Sequence, residues 1–362
     1  MNRRAKKMTI IATFCCLILT TSCNLLPENN AIEEIAPVIF WYVKKGDKKQ
    51  LKISTAVPPV LKEKKQLFSL EVNLLKQGSK DFNLIYYREM KVGQLRMIFI
   101  DEEIAKSGVL QLVNSLLIDP DTSQRLFIVI VKGDFESYVK KQIKEKENTE
   151  YYLYRMLKHY EDQNQGELTP VNLHDFKKML YTPLSDPYIP VFKADQNNFK
   201  YEGTAIFKKD KLVKVFTNMD DQVFQLIGTD NYLKYLVIPK LSVVLGRVQT
   251  TVHFTLNADH SKLFVNVKMM GRIEDFKSHN NGLNDEEIQK LKYSIEDHME
   301  KNTKKMFKTL QQEHSDPFQI GTKTLTPFGK SLTDKEWYEK WRKMDVTVNY
   351  ELQMGPLQKD PK

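Results

Sequence analysis

All three cysteines of this 362-residue chain lie at its start, at Cys15, Cys16 and Cys23, and no later residue carries a thiol. The remaining ~340 residues can therefore form no disulfide, and apolar packing has to hold them together. With 41% apolar residues the composition is sufficient for ordinary cores, and a length of some 340 residues suggests two or three domains.

The first seven residues hold Arg3, Arg4, Lys6 and Lys7 and no acid, and an apolar run from Met8 to Leu19 follows, broken only by Thr13. A basic head, a short apolar core and small residues before a cut site are the layout of a secretory signal. The core is about 12 residues long, against the roughly 20 that a membrane-spanning helix needs, and polar residues from Asn24 to Asn30 close it early. Thr20-Thr21-Ser22-Cys23 resembles a lipobox, in which the thiol receives a diacylglyceryl group and the chain is cut just before it. Thr20 departs from the usual large aliphatic residue, so the competing reading is ordinary cleavage near Ser22. Cleavage leaves Cys23 as the sole thiol of an exported protein, a liability that lipidation removes. Two acyl chains hold a membrane stably where one does so marginally. Cys23 is thus the expected lipidation site and diacylglyceryl-Cys23 the expected membrane attachment.

The formal charge is +9; the signal contributes +4 through its two Arg and two Lys, leaving the mature chain near +5. Basic and acidic residues are well mixed, with no arginine-rich arm, no aromatic string of the RNP kind and no cysteine–histidine finger, so nucleic acid is not an expected partner. A mild positive excess suits a solvated surface and also a position over anionic lipid. No second apolar stretch approaches membrane length, so the remainder is expected to be soluble.

Periodicity predicts an α+β, multi-domain chain with mixed sheets and a long helix in the C-terminal half, extracytoplasmic once the signal is removed. The expected division is a signal peptide over 1–22, a lipidated tether over 23–32, an N-terminal α/β region of one or two domains over 33–190, and a C-terminal α+β domain over 191–362. Leu51–Val57 and Phe68–Leu74 alternate as strands. Leu95–Ile100, a helical segment capped by Asp101 with Gly108 as its weak point, and Leu126–Val131 form a βαβ unit. Asp134 to about His159 predicts one long polar helix. Pro183, Pro187 and Pro190 make Tyr181–Val191 a plausible domain joint. Hairpins are predicted over 201–216, turning at Lys209-Asp210-Lys211, and over 249–269. Asn284 and Glu287 form a candidate capping box for a helix of roughly 28 residues, and Val346–Met354 is a final strand. No internal repeat or low-complexity tract is present.

No reacting centre is legible. The seven histidines are scattered without zinc-ligand spacing, and there is no Gly-x-Ser-x-Gly elbow and no glycine-rich phosphate loop; Cys23 is placed at the tether. No catalytic residue, metal ligand, cofactor site or cofactor is expected. The carboxylate pairs Asp101-Glu102, Glu102-Glu103 and Glu286-Glu287 are read as charge at helix N-termini. Trp337 and Trp341 would share a helix face, read as core packing, with an anchor in a partner surface as the alternative. The tyrosines interleaved through Asp134–Gln165 are read as a surface helix covering one face of its domain, with a partner groove or membrane contact as the alternative.

Three segments resemble the Ger(x)C family, the C-subunit lipoproteins of bacterial spore nutrient-germinant receptors. Gln94–Ile100 followed by Glu102-Glu103-Ile104-Ala105-Lys106-Ser107-Gly108 is similar to its hydrophobic strand and EE-x-A-x-x-G segment. Tyr201 to Val213 is similar to its GTAVFK-x-DKLVG hairpin, with Lys214 where the family usually has Gly. Asp316-Pro317-Phe318-Gln319-Ile320-Gly321, then Trp337, Trp341 and a strand ending at Met354-Gly355-Pro356-Leu357, resembles its closing pattern. Asn24-Leu25-Leu26 departs from the family's usual Trp-Asp after the lipidated cysteine, and Glu33-Glu34-Ile35-Ala36 arrives late. The resemblance implies a three-domain α+β lipoprotein on the outer face of the inner spore membrane, without enzymatic activity. It also implies assembly with two integral membrane subunits, one carrying a large soluble domain and one transporter-like, in a complex that triggers germination. The competing functions are a substrate-binding lipoprotein of a membrane importer, whose two similar lobes the dissimilar halves here do not match, and an exported hydrolase.

Overall fold

The computed structural model describes residues 34–47, 51–59, 64–145, 149–163, 166–228, 232–277, 285–325 and 331–355. The expected signal segment, Cys23, the expected tether over 23–32 and the candidate capping residue Asn284 lie outside the described residues.

The first half opens with β1 (Ile35–Pro37), β2 (Phe40–Lys45), β3 (Leu51–Val57) and β4 (Gln66–Val72), then α1 (Leu75–Ile85), β5 (Glu89–Lys91) and β6 (Met97–Asp101). It continues through α2 (Glu102–Ser107), α3 (Leu110–Ile118), β7 (Phe127–Gly133), α4 (Phe135–Glu145), α5 (Thr149–Gln163), β8 (Val171–Asn172) and α6 (Leu173–Tyr181). Then come β9 (Tyr188–Ala194), β10 (Phe199–Lys208) and β11 (Lys211–Thr217). A nine-stranded sheet runs β11-β10-β9-β7-β6-β2-β3-β4, with β8 pairing β7. β2, β6, β7 and β9 are parallel neighbours, flanked by antiparallel strands on both sides.

The central strands are apolar on both faces because helices cover both. Ile98 and Ile100 of β6 enter a core with Leu112, Val113 and Phe176 of α3 and α6. The alternate residues Met97 and Phe99 enter a second core with Phe135, Val139, Leu153 and Leu157 of α4 and α5. A strand buried on both sides reads as a continuous apolar run, as Met97–Ile100 and Phe127–Val131 do.

Asp101 caps α2 as its spacing predicts, accepting from the Glu103 amide at 3.0 Å. Gly108, with φ +124°, ends α2 and turns the chain so that the Val109 amide donates to the Asp210 carbonyl. The expected single polar helix over 134–159 is two helices, α4 and α5. Thr149 and Glu150 are buried at the start of the second, where Glu150 pairs with Lys65, an ion pair that ties its first turn to the strand side of the domain.

The second half comprises α7 (Asn218–Ile227), β12 (Tyr232–Ile238), β13 (Val243–Leu256), β14 (Lys262–Phe276), α8 (Asp285–Gln312), α9 (Asp334–Lys343) and β15 (Asp345–Gly355). β12-β13-β14-β15 form a four-stranded sheet with β15 parallel to β14. α8 lays Leu291, Ile295, Met299, Met306 and Leu310 on the core with Val265, Val267 and Leu352. The fold is thus mixed α+β with a long C-terminal helix. Trp337 and Trp341 of α9 are fully buried and stacked with centroids 5.7 Å apart, which makes them core.

The β10–β11 hairpin serves both halves. It is hydrogen-bonded into the nine-stranded sheet through β9, although its sequence groups it with the second half. Ala205, Phe207 and Leu212 pack into the first half's core, whereas Ile206 and Phe216 pack into the second's. Pro190 is tolerated within β9 because β7 begins to pair that strand only at Val191; its missing N–H deprives no neighbour of a bond.

Candidate functional site

The three segments that carry the family resemblance converge on the tip of the β10–β11 hairpin. Gly108 lies against it from α2: a β-carbon there would sit 2.6 Å from Asp210 Oδ2, and the Leu110 amide donates to that same oxygen at 3.2 Å. Asp316 and its neighbours approach from the second half. The Ser315 hydroxyl donates to the Phe207 carbonyl at 2.6 Å, and the Trp341 indole N–H donates to the Ser315 carbonyl at 2.9 Å. Gly203, inside β10, has no room for a side chain, since a β-carbon would sit 1.9 Å from the Phe216 carbonyl oxygen.

Asp186 joins these parts. It precedes Pro187, which favours an extended backbone, and it is fully buried. Its Oδ1 accepts from the Lys209 amide at 2.6 Å. Its Oδ2 accepts from the Asp316 amide at 2.9 Å and the Tyr338 hydroxyl at 2.6 Å, with Lys208 Nζ at 3.5 Å. In return the Asp186 amide donates to the Asp316 carbonyl at 3.1 Å. Asp316, also fully buried, turns its carboxylate onto the helical turn over Ile320–Thr324: Oδ1 accepts from the Ile320 amide at 3.1 Å and Oδ2 from the Gly321 amide at 2.7 Å. Gly321 is obligatory in this packing, because a β-carbon there would meet the Leu184 carbonyl at 2.7 Å and the Trp337 ring at 2.8 Å.

Burial pushes the Asp316 carboxyl up to about 7, against the opposing Gly321 and Ile320 amides. Burial pulls the Lys208 amine down to about 8, against the attraction of Asp186. A second buried carboxyl, Asp221 at the start of α7, accepts from Thr204 at 2.7 Å and Tyr201 at 2.9 Å, yet burial still pushes it up to about 6. On the far face of the large sheet Glu136 is held down at about 2; burial opposes this but is outweighed by hydrogen bonds from Lys44, Ser54 and Lys52.

The signs give a pH profile. A carboxyl whose folded pKa is raised binds more protons folded than unfolded between the ordinary value and the shifted one, so stability falls as pH rises through that window. Asp316 and Asp221 should therefore lower stability progressively between about pH 4 and pH 7. Glu136 acts oppositely: its contribution is present above its ordinary value and is lost as pH falls towards 2. Urea midpoints measured from pH 2 to 8 are expected to peak on the acid side of neutrality. Asp316→Asn should flatten the fall from pH 4 to 7, and an unchanged slope in that variant would remove Asp316 from the account.

Beside the junction, a cleft of about 550 Å3 is lined by Tyr188, Ile227, Phe254 and Phe318, with Asp175 and Lys178 at its polar side. Among the described residues no group of His, Asp and Glu has a metal-binding arrangement, and no described helix is long and apolar enough to cross a membrane. The sequence reading singled out Asp316 and Gly321 within a motif and Trp337 and Trp341 as a pair, and the structure brings all four together. It gave no role to Asp186, Lys208 or Tyr338, and the sole local signal for Asp186 was the proline after it. Cys23 is outside the described residues.

The α+β fold is similar to that of the solved structure of the GerBC protein. The match has a TM-score of 0.56 at 12% identity and covers 87% of this chain and 96% of the other, so the likeness is one of fold. The sequence carries it further. Residues 28–194 match the spore germination protein N-terminal domain, and residues 202–355 match the spore germination B3/GerAC-like C-terminal domain. The chain belongs to this spore germination family. It is also 23% identical to the spore germination protein GerQC of Bacillus cereus, over 73% of this chain and 75% of that one. The join between the two family domains, residues 195–201, falls where β9 turns into β10.

Proposed function

We propose that this protein is the non-enzymatic C subunit of a spore nutrient germinant receptor, exported and held by diacylglyceryl-Cys23 on the outer face of the inner spore membrane. There it acts in assembly or signalling with two integral membrane subunits, one with a large soluble domain and one transporter-like. The observation that carries this reading is the succession of both family domains behind a signal-like segment ending at Cys23. The division into a signal peptide over 1–22 and a tether over 23–32 is part of the proposal. The buried polar groups support it too: Asp186, Asp316, Asp221 and Glu136 are each engaged in holding elements together.

Two measurements test it. Cys23→Ala is expected to leave an uncut precursor without acyl chains, read by intact mass and by incorporation of labelled palmitate; unchanged mature mass and acyl content would refute the lipidation. Deleting the gene is expected to impair the response of spores to particular nutrients while leaving them viable. Spores that respond normally to every nutrient, with no second gene of this family to substitute, would refute the receptor role.

A further inference from the structure

We propose that the end of the first domain at which the chain enters it is a second membrane contact, in which Leu84, Ile85 and Tyr87 lie in the lipid surface. The proposal rests on the lipid anchor at Cys23 for its geometry, but not for its chemistry.

Large apolar side chains are concentrated here. Leu84 is 75% exposed, Ile85 61% and Tyr87 68%, three within four residues at the C-terminal end of α1 and just beyond it. The same helix buries Leu75 and Phe82 in the core, so its apolar inventory exceeds what the core uses. Scattered exposed apolar residues are normal, but a contiguous group of large ones marks an interaction surface.

The path of the chain says what covers it. The Val38 amide donates to the Lys91 carbonyl at 3.2 Å, so the folded body begins beside β5, which follows Tyr87 by two residues. Arg88, next to Tyr87, donates to the Pro58 carbonyl at 2.8 Å and fixes this segment against the end of β3. Residues 24–35 alone separate Cys23 from Ala36, and even fully extended this stretch reaches no more than about 45 Å. An acylated Cys23 therefore keeps this end of the domain near the bilayer.

The charges around the group suit an anionic lipid surface. Lys80 shares a helix face with Leu84, one turn away. The exposed Lys64 lines a hollow with Tyr86, adjacent to Tyr87. Of the nearby acids, Asp81 accepts from Gln77 at 2.9 Å and Glu89 pairs with Lys91 at 3.1 Å. A short apolar tip with a tyrosine and flanking lysines is the chemistry of interfacial contact.

The test uses the mature full chain. Ile85→Cys and, as a control on α8, Tyr293→Cys (66% exposed) are labelled with an environment-sensitive fluorophore. They are examined on vesicles of phosphatidylglycerol and phosphatidylcholine carrying a bilayer quencher, in two arms: the acylated protein, and the chain produced from residue 23 onward, without residues 1–22 and with Cys23→Ala, added to vesicles. The expected result is a blue shift and quenching at position 85 and neither at 293. In the Cys23→Ala arm, Leu84→Ser with Ile85→Ser should lower vesicle partition by roughly tenfold. A label at 85 that stays water-exposed on vesicles to which the protein is attached overturns the proposal, as does equal partition of the double variant. Shielding at 85 only in native spore membranes, and not on protein-free vesicles, assigns the face to a protein partner and also overturns it. A mature chain found without acyl groups refutes the anchor alone, because the Cys23→Ala arm still reads the patch.

Discussion

Asp186→Ala is expected to destabilise the folded protein by about 3–5 kcal/mol, the range for removing one partner from a buried charged network. The substitution strips acceptors from the Lys209 and Asp316 amides and from the Tyr338 hydroxyl, and it leaves Lys208 without the carboxylate beside it. The Asp316 amide and the Tyr338 hydroxyl, both buried, cannot turn to bulk water without opening the contact between β10–β11 and the turn over Ile320–Thr324. Urea unfolding of the mature chain measures the effect, with Tyr338→Phe as the graded control. That variant removes one donor to Asp186 and should lower stability by about 1–2 kcal/mol. If Asp186→Ala unfolds within about 1 kcal/mol of the parent, the two halves are held by apolar packing and the polar junction is secondary.

The second large effect is expected at Trp337. Trp337→Ala removes a fully buried ring that stacks on Trp341 and closes over Gly321. The loss should be about 3–5 kcal/mol, as for other large aromatic truncations in a core. Trp337→Phe supplies the contrast. Among the described residues the Trp337 indole N–H makes no hydrogen bond, so a phenyl ring keeps most of the packing and discards an unsatisfied donor, and its loss should be under about 1.5 kcal/mol. Near-UV circular dichroism and urea midpoints read both variants. Equal losses from Ala and Phe would mean that the indole is held by more than its shape. Because Trp337, Gly321 and the Asp186 junction touch, their effects should combine non-additively.

Elements whose pattern is local were legible in the sequence. β3 occupies Leu51–Val57 as its alternation predicts, the hairpin turns at Lys209-Asp210, and α8 runs 28 residues. α8 buries one face and leaves the other wet, whereas β3 is buried on both faces from Ile53 to Val57 and its alternation is visible because Lys52 and Ser54 make one of those faces polar, where Ser54 bonds Glu136. β2 was missed for the converse reason. Phe40, Trp41, Tyr42 and Val43 are all buried between two helical layers, and a doubly covered strand shows no alternation. The short helices α6 and α7 were missed as well; each begins at the residue after a strand ends, β8 and β11 respectively, with no turn segment between to mark the boundary. The junction was the least legible part. Asp186, Lys208, Asp316 and Tyr338 come from four separate segments, and Asp186 and Tyr338 are 152 residues apart. What could be seen were the glycines around the junction. Gly108, Gly203 and Gly321 stood in the quoted segments, and each is required where one backbone passes close to another atom.

Helix side chains cover part of each edge of the four-stranded sheet of the second half. On β15, Glu300 accepts from the Tyr350 amide at 3.2 Å and Glu296 from the Leu352 amide at 2.7 Å, both from α8. On β12, Gln222 of α7 accepts from the Val237 amide at 2.9 Å. Side chains thus occupy main-chain donors on both outer strands, the groups a foreign segment would need to extend the sheet by strand addition. A partner bound along these stretches would engage side-chain surfaces of helices and strands. Its recognition would then depend on shape and charge rather than on borrowed backbone, and the same blocking opposes edge-to-edge association between copies of the chain.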